Sequence, residues 1–341
     1  MTDAESGATR GISRRALLGA AAAAAGAAAA PRALAQQQIK CAAVPAASAK
    51  GPRVFLEYDQ PELDANYDQL PWAPNHQQVT GRDASNSELV RLRIGAPRRV
   101  AYGPTEVERL DIYATGKAGA PIMVFLHGGA WRGGEAKNYA APAEMFVRAG
   151  AHFVVPDFVA VQNAGGNLFA MVEQVRRAVA WVYLNAASFG GDAGRLYLSG
   201  HSSGSHLGGC VMITDWQRDF GLPAGVVKAA LLVSGMYDLK APRLSARSSY
   251  VKFTGEMEDA LSAQRHLERV NAPIIVAHAA LDTPEFQRQS RDFAEALTKA
   301  RKPVQLIRGE GYNHFEFIET LTNPYGILGS AALAMMGLAA P

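Results

Sequence analysis

A series of short apolar runs, each ending in glycine, serine, histidine or aspartate, limits the fold of this chain more than any other feature. In order they read "PIMVFLHGG", "HFVVPDF", "RLYLSGHS", "VKAALLVSG", "PIIVAHAA" and "VQLIRGEG". A strand with one wet face alternates apolar and polar residues, whereas these runs are apolar at almost every position. They suit strands buried on both faces. "VERLDIYAT" does alternate and reads as a half-exposed strand. Between the runs lie helical segments. "NLFAMVEQVRRAVAWVYLNAA" puts Leu168, Met171, Val172, Val175, Val179 and Val182 on one stripe, as a sheet-packing helix requires. "TPEFQRQSRDFAEALTKA" has Thr283 as N-cap and Pro284 in the first turn. Strands alternating with helices predict an α/β fold: a mainly parallel central sheet with helices on both faces, in one domain. At 341 residues and 48% hydrophobic, the chain is large enough for a single sizeable core.

The ends of the chain are organised differently. Residues 1–35 hold "SRRALLG", an alanine-rich run, Pro31 and "ALA" before Gln36. A charged start, a short weakly apolar stretch and small residues at a cleavage point describe an export signal. The paired Arg14 and Arg15 point to the twin-arginine route. The run is too short and too weakly apolar for a comfortable spanning helix, so no stable membrane insertion is expected after cleavage. The mature protein would begin near Gln36 and be periplasmic or secreted. The formal charge of the whole chain is +3, and losing the leader's net +2 leaves the mature chain close to neutral. Nothing in that balance predicts a nucleic-acid partner. Two cysteines, Cys41 and Cys210, are too few for a disulfide framework or a metal site. Residues 36–104 read as an N-terminal extension packing on the core, with a short helix in "QPELDANYDQL", and residues 105–341 as the catalytic domain. Within it, residues 237–267 are irregular and read as a candidate lid or cap. The terminal "YGILGSAALAMMGL" reads as a packing helix that could instead form a homodimer surface.

One strand–turn–helix carries the chemistry. "RLYLSG" is a strand and "SGSHLGGCVMI" a closely packed helix. The turn between them, Gly200-His201-Ser202-Ser203-Gly204, fits G-x-S-x-G. So sharp a turn strains its central residue and lifts that side chain clear of the sheet, and a Cβ at either glycine would collide with the neighbouring chain. Ser202 is therefore the candidate nucleophile, at a helix N-terminus that favours negative charge. Upstream, "FLHGGAW" also follows a strand. The amides of Gly128 and Gly129, with that of Ser203, could hold a tetrahedral oxyanion, and each such donor is typically worth about 10²–10³ in rate. His127 reads as a brace for this loop, and Gly133-Gly134 as a source of its flexibility.

The hydroxyl needs a base, and the base an orienting carboxylate, in the chain order Ser, Asp or Glu, His. Asp282 follows the strand "PIIVAHAA" and His314 lies beyond "VQLIRGEG", both where side chains converge on the top edge of the sheet. Asp238, in "SGMYDL" after the preceding strand, is a second candidate acid. Glu285 reads as a solvated residue at a helix start. His201 and His206 are too near Ser202 in sequence to act as base and read as structural, as does His278 within its strand. Trp131, Phe286 and Phe315 lie beside the motifs and are candidate contacts for an aromatic substrate. The scheme requires no metal or cofactor, and its partner is a small molecule.

The motifs "LDANYD", "HGGAW", "GHSSGSHL", "DWQ", "VSGMYDL", "DTPEFQRQSRDFAEAL" and "NHFEFIETL" together resemble kynurenine formamidase (arylformamidase) and its relatives in the α/β-hydrolase superfamily. The likeness runs from about Leu63 to Leu321. "DTPEFQRQS" is its most specific part. The resemblance implies an α/β-hydrolase fold and a Ser202, Asp282, His314 triad with the "HGG" loop at the oxyanion, which leaves Asp238 aside. It further implies hydrolysis of a small aromatic amide or formamide through an acyl-enzyme. An exported carboxylesterase for short-chain or aryl esters is the alternative, and a non-catalytic binding protein the rival from another class. Two positions depart from the family pattern: Ala130, where an aromatic is usual after the glycine pair, and Ser203, where alanine usually follows the nucleophile. Both keep the backbone donors but alter pocket shape and polarity. An export signal also sits oddly with the cytoplasmic catabolism typical of the family.

Overall fold

The computed structural model describes residues 50–341. The export segment over residues 1–35 and Cys41 lie outside the described residues. The first elements are helices α1 (Gln60–Asn66) and α2 (His76–Ile94), then strands β1 (Arg98–Ala101), β2 (Arg109–Tyr113) and β3 (Ala120–Leu126). Next come α3 (Ala143–Ala149), β4 (His152–Pro156), α4 (Leu168–Asn185), β5 (Gly191–His201), α5 (Ser203–Met212) and α6 (Trp216–Phe220). They are followed by β6 (Ala230–Val233), α7 (Lys240–Leu244), α8 (Gly255–Ala260), β7 (Ile274–Ala279) and α9 (Pro284–Lys299). The chain closes with β8 (Val304–Gly309), α10 (His314–Glu319) and α11 (Ile327–Met335). No helix among the described residues is long and apolar enough to cross a membrane.

The strands form one sheet in the order β1-β2-β4-β3-β5-β6-β7-β8. From β4 to β8 every pairing is parallel, and β2 joins β1 and β4 antiparallel. The pleat sorts successive residues to opposite faces. Along β3, Ile122, Val124 and Leu126 enter the core shared with α4, α5 and α9, while Met123 and Phe125 enter the one shared with α3 and α11. All seven β3 residues are buried, which explains why the run has no polar alternation. The predicted stripe on α4 is buried in full. Each such side chain contributes roughly 1.5–3 kcal/mol.

Two expectations change at the sheet's antiparallel edge. The first strand, β1, lies inside the segment read as an extension, so a boundary at residue 104 falls in the β1–β2 connection. Leu110 to Tyr113 of β2 are all buried, and the apparent half-exposure has a different cause. Asp111 stands opposite Arg99 of β1, whose guanidinium bonds it at 2.7 Å and reaches Asp157 at 2.5 Å. The polar side chain is thus covered and ion-paired. Residues 237–267 likewise pack inward, burying Leu239, Ala241, Val251, Met257 and Leu261 in the larger core. Cys210 is buried in α5.

Candidate active site

The turn from β5 to α5 has the strain its sequence predicts. Ser202 sits at φ 55°, ψ −123°, a region L-residues avoid, and its N–H donates to Val233 O at 2.9 Å. A Cβ at Gly200 would lie 2.6 Å from Gly204 O, and one at Gly204 would run into the carbonyl of Leu126. Gly204→Ala is therefore expected to push α5 off β3 and lower stability by roughly 3 kcal/mol, read as a drop in melting temperature, with activity lost in parallel. Ser205 fixes the turn from beneath. Its hydroxyl donates to Gly200 O at 2.6 Å, and the Val233 N–H donates back to it at 2.7 Å.

The loop after β3 presses against this turn. A Cβ at Gly128 would stand 3.2 Å from that of Ser202, a contact tighter than packed side chains normally make, so glycine suits the close approach of the loop. Gly129, Ala130 and Trp131 all have positive φ, which turns the backbone back over the nucleophile. The amides of Gly128, Gly129 and Ser203 have no acceptor among the described residues. His127 braces the loop as expected, stacked between Tyr139 and Phe158 with Nδ1–H donating to Gly128 O. Gly134, however, does not serve flexibility. It has φ +107°, and a Cβ there would strike the His127 ring. The glycine exists to admit the brace.

On the other side, His314 is the first residue of α10, directly after the N-cap Asn313 in the turn beyond β8, and Asp282 follows β7. Their side chains meet, Nδ1–H donating to Asp282 Oδ1 at 2.6 Å. The other carboxylate oxygen accepts from the Ser234 hydroxyl at 2.6 Å and the Ala279 amide at 2.9 Å. Burial alone would push the Asp282 carboxyl up. The His314 imidazole and these donors outweigh it and hold the carboxyl below its usual value. Ser234 was not among the residues singled out from sequence, although its place at the end of β6, in "VSG", was a usable signal. The Ser202 hydroxyl forms no hydrogen bond within the described residues. It opens beside His314 onto a cavity of about 540 Å³, a size suited to a small aromatic molecule. A catalytic hydrogen bond often closes only once substrate is bound.

The rival residues are engaged elsewhere. Asp238 makes a two-point ion pair with Arg265, at 3.0 and 2.9 Å, away from His314. His201 donates from Nε2 to His314 O, and burial, helped by the neighbouring His314, lowers its pKa to about 3. His206 accepts from Trp131 Nε1 and donates to Leu261 O, and burial lowers it to about 4. Both stay neutral at ordinary pH. His278 donates to Ala279 O within its strand end.

Three sequence expectations are corrected here. Glu285 is fully buried rather than solvated, paired with Arg288 at 2.7 Å and bonded by the Tyr67 hydroxyl at 3.2 Å. Phe286 does not line the cavity. It packs edge-on against the His314 ring at 5.3 Å, because the first turn of α9 points it inward. Trp131 is also beneath the cavity surface, with its indole N–H spent on His206. Phe315 does line the cavity, edge-on to His314 at 5.2 Å.

The remaining wall comes from residues ahead of the sheet. Tyr67, Gln69, Leu70, Thr80 and Asp83 line the cavity together with Arg132, Arg247 and Tyr250. Thr283 occupies the N-cap of α9, but its hydroxyl donates to Asn66 O at 2.7 Å. The free Glu285 N–H is capped instead by Asn66 Oδ1 at 3.2 Å. Asn75 bonds both Asn313 and Glu316 next to His314. The N-terminal segment is thus bonded to the elements that carry both Asp282 and His314.

Known proteins resemble this chain over most of its length. The BD-FAE family model matches residues 110–232. Kynurenine formamidase of Salmo salar is 32% identical over 305 residues, covering 83% of this chain and 98% of that protein. The Danio rerio kynurenine formamidase is 30% identical over 292 residues, covering 81% and 96%. Esterase LipC of Mycobacterium tuberculosis is 28% identical over 240 residues, covering 64% and 59%. A solved thermophilic esterase from Thermogutta terrifontis shares the fold, with TM-score 0.60 and 21% identity over 73% of this chain and 95% of that one.

Proposed function

Because this chain belongs to the kynurenine formamidase family of α/β-hydrolases, we propose that, as a serine hydrolase of amides or esters, it cleaves a small aromatic formamide. Identity spanning almost the full length of two kynurenine formamidases carries the reading.

In the proposed mechanism Ser202 Oγ attacks the formyl carbonyl while His314 Nε2 takes its proton. Asp282, bonded to Nδ1–H, keeps that proton on Nδ1, so Nε2 is free to accept. The amides of Gly128, Gly129 and Ser203 stabilise the oxyanion. His314 then protonates the departing arylamine, and water, activated by the same imidazole, releases formate from Ser202. Every transfer passes through Nε2 while Nδ1–H stays bonded to Asp282, so the ring keeps one tautomer and one orientation throughout.

The test is to compare kcat/KM of the purified mature protein for N-formylkynurenine and p-nitrophenyl acetate, with the formamide expected at least about tenfold ahead. The opposite order would favour an exported carboxylesterase, a reading supported by the likeness to LipC and by Ala130 in the pocket wall. Failure of a serine-directed organophosphonate to label the protein would leave only a binding role.

The proposal extends to location. "SRRALLG", the alanine run and "ALA" support twin-arginine export with cleavage near Gln36. N-terminal sequencing of protein from the periplasm or medium should then start close to Gln36. Changing Arg14 and Arg15 to lysine should retain the uncleaved chain in the cytoplasm. Full-length protein found only in the cytoplasm of the unmodified strain would defeat this part.

A further inference from the structure

We infer that Arg247 anchors a carboxylate on the substrate, so that the pocket selects anionic aromatic molecules over neutral ones of the same shape. The inference rests on the hydrolase reading of the cavity, although not on the preference for formamides.

Arg247 is a buried cation, 6% exposed, in the turn that brings Tyr250 to the cavity wall. Of the five donors a guanidinium offers, Nη1 donates to the Tyr250 hydroxyl at 2.8 Å and Nη2 to Tyr67 O at 3.1 Å. Nε is buried with no acceptor. The rings of Trp131, Tyr67 and Phe286 surround the guanidinium at 5.3, 5.6 and 5.9 Å. Aromatic faces offset part of the desolvation, but they supply neither a counter-charge nor an acceptor for an N–H.

Arginines elsewhere in the fold pair with carboxylates, whereas Arg176, whose Nε also has no acceptor, donates only to Cys210 O and stands outside the cavity. Arg288 holds Glu285, Arg177 holds the buried Glu108, and Arg99 holds Asp111 and Asp157. Arg247 has no carboxylate partner among the described residues. The aspartates of the same cavity do not supply one. Asp64 accepts from Gln60 and the Ala246 amide, Asp68 accepts from the Leu70 amide, and Asp83 lies beside Arg82 and Glu319. An uncompensated buried charge is costly to the fold, and a ligand that brings the missing anion recovers that cost on binding. The planar fork of arginine matches a carboxylate at two points. Arg247 lines the same cavity as Ser202 and His314, so the anion belongs to the molecule whose carbonyl Ser202 meets. A formyl group is too small to carry it. The charge therefore sits on the aryl portion.

The experiment compares kcat/KM for phenyl acetate with that for 2-, 3- and 4-acetoxybenzoate, which differ from it only by a ring carboxylate. In the unmodified protein the best isomer should exceed phenyl acetate by about tenfold or more. Arg247→Met should bring that ratio to about one, and Arg247→Lys should keep part of it. Ratios near one for every isomer in the unmodified protein overturn the inference. So does a preference that survives in Arg247→Met, because a purely structural arginine would slow all four esters alike. Should the methionine variant fail to fold, calorimetric titration of the unmodified protein with benzoate and benzamide decides. Benzoate should bind about tenfold more tightly, and equal affinities overturn the assignment. Acetate esters keep the result independent of formamide turnover. Loss of the formamidase reading with the carboxylate preference intact would leave Arg247 in its role.

Discussion

Replacing Ser202 by alanine is expected to lower kcat/KM for every amide and ester substrate by about 10⁵–10⁶-fold and to abolish organophosphonate labelling. The fold should survive, because the Ser202 hydroxyl bonds nothing within the described residues and the backbone bond from its N–H to Val233 O needs no side chain. Losing one oxygen at a site already held at φ 55° by Gly200 and Gly204 should leave the melting temperature within a few degrees. The residual rate would come from the Gly128, Gly129 and Ser203 amides, which still stabilise an oxyanion formed by attacking water. Turnover of p-nitrophenyl acetate alongside a thermal melt checks both halves. A variant active within tenfold of the unmodified protein would mean that another group attacks.

Asp282→Asn should cost about 10⁴ in kcat with little change in KM. The reason lies in the two sides of the carboxylate. Oδ2 receives two donors, the Ser234 hydroxyl and the Ala279 amide, so the asparagine carbonyl oxygen must take that position. Its NH₂ then faces His314 Nδ1, which can only accept. The ring proton is driven to Nε2, and the nitrogen that should receive the serine proton becomes a donor. Stability should also lose part of its pH dependence. The Asp282 carboxyl titrates below its usual value in the fold. Its contribution is therefore full above about pH 4, the range where an unfolded carboxyl ionises, and fades as pH falls through the lower folded value. Melting curves for both proteins across the acid range should converge at low pH. A kcat within tenfold of the unmodified enzyme would instead point to a different orienting acid.

Much of the fold and of the triad could be read from the sequence, for a physical reason. Strands β3, β4, β6 and β7 and the second half of β5 are covered almost throughout, so each leaves a mostly apolar run, and residues at their carboxyl ends are few enough to sort by chain order. The edge is less legible. Asp111 looks exposed when read alone, and only the β1–β2 register sets the half-exposed Arg99 over it as cover. Depth was the other failure. Trp131 and Phe286 are neighbours of motif residues in sequence, yet lie one layer beneath the cavity, while Arg247 and Tyr67, remote in sequence, form its wall. Glu285 gave no hint of burial because its partners are a helical turn away in Arg288 and far upstream in Tyr67.

The wall supplied by residues 60–83 stands outside the stretch shared with the BD-FAE model, which begins at residue 110. Two hydrolases can therefore superpose strand for strand, nucleophile included, and still admit different molecules, since about a third of the mould that shapes the guest is borrowed from chain the sheet does without. Grafting that leading stretch between relatives would exchange appetite while leaving the engine in place, provided Asn66 and Asn75 travel with it to keep their hold on Glu285 and Asn313.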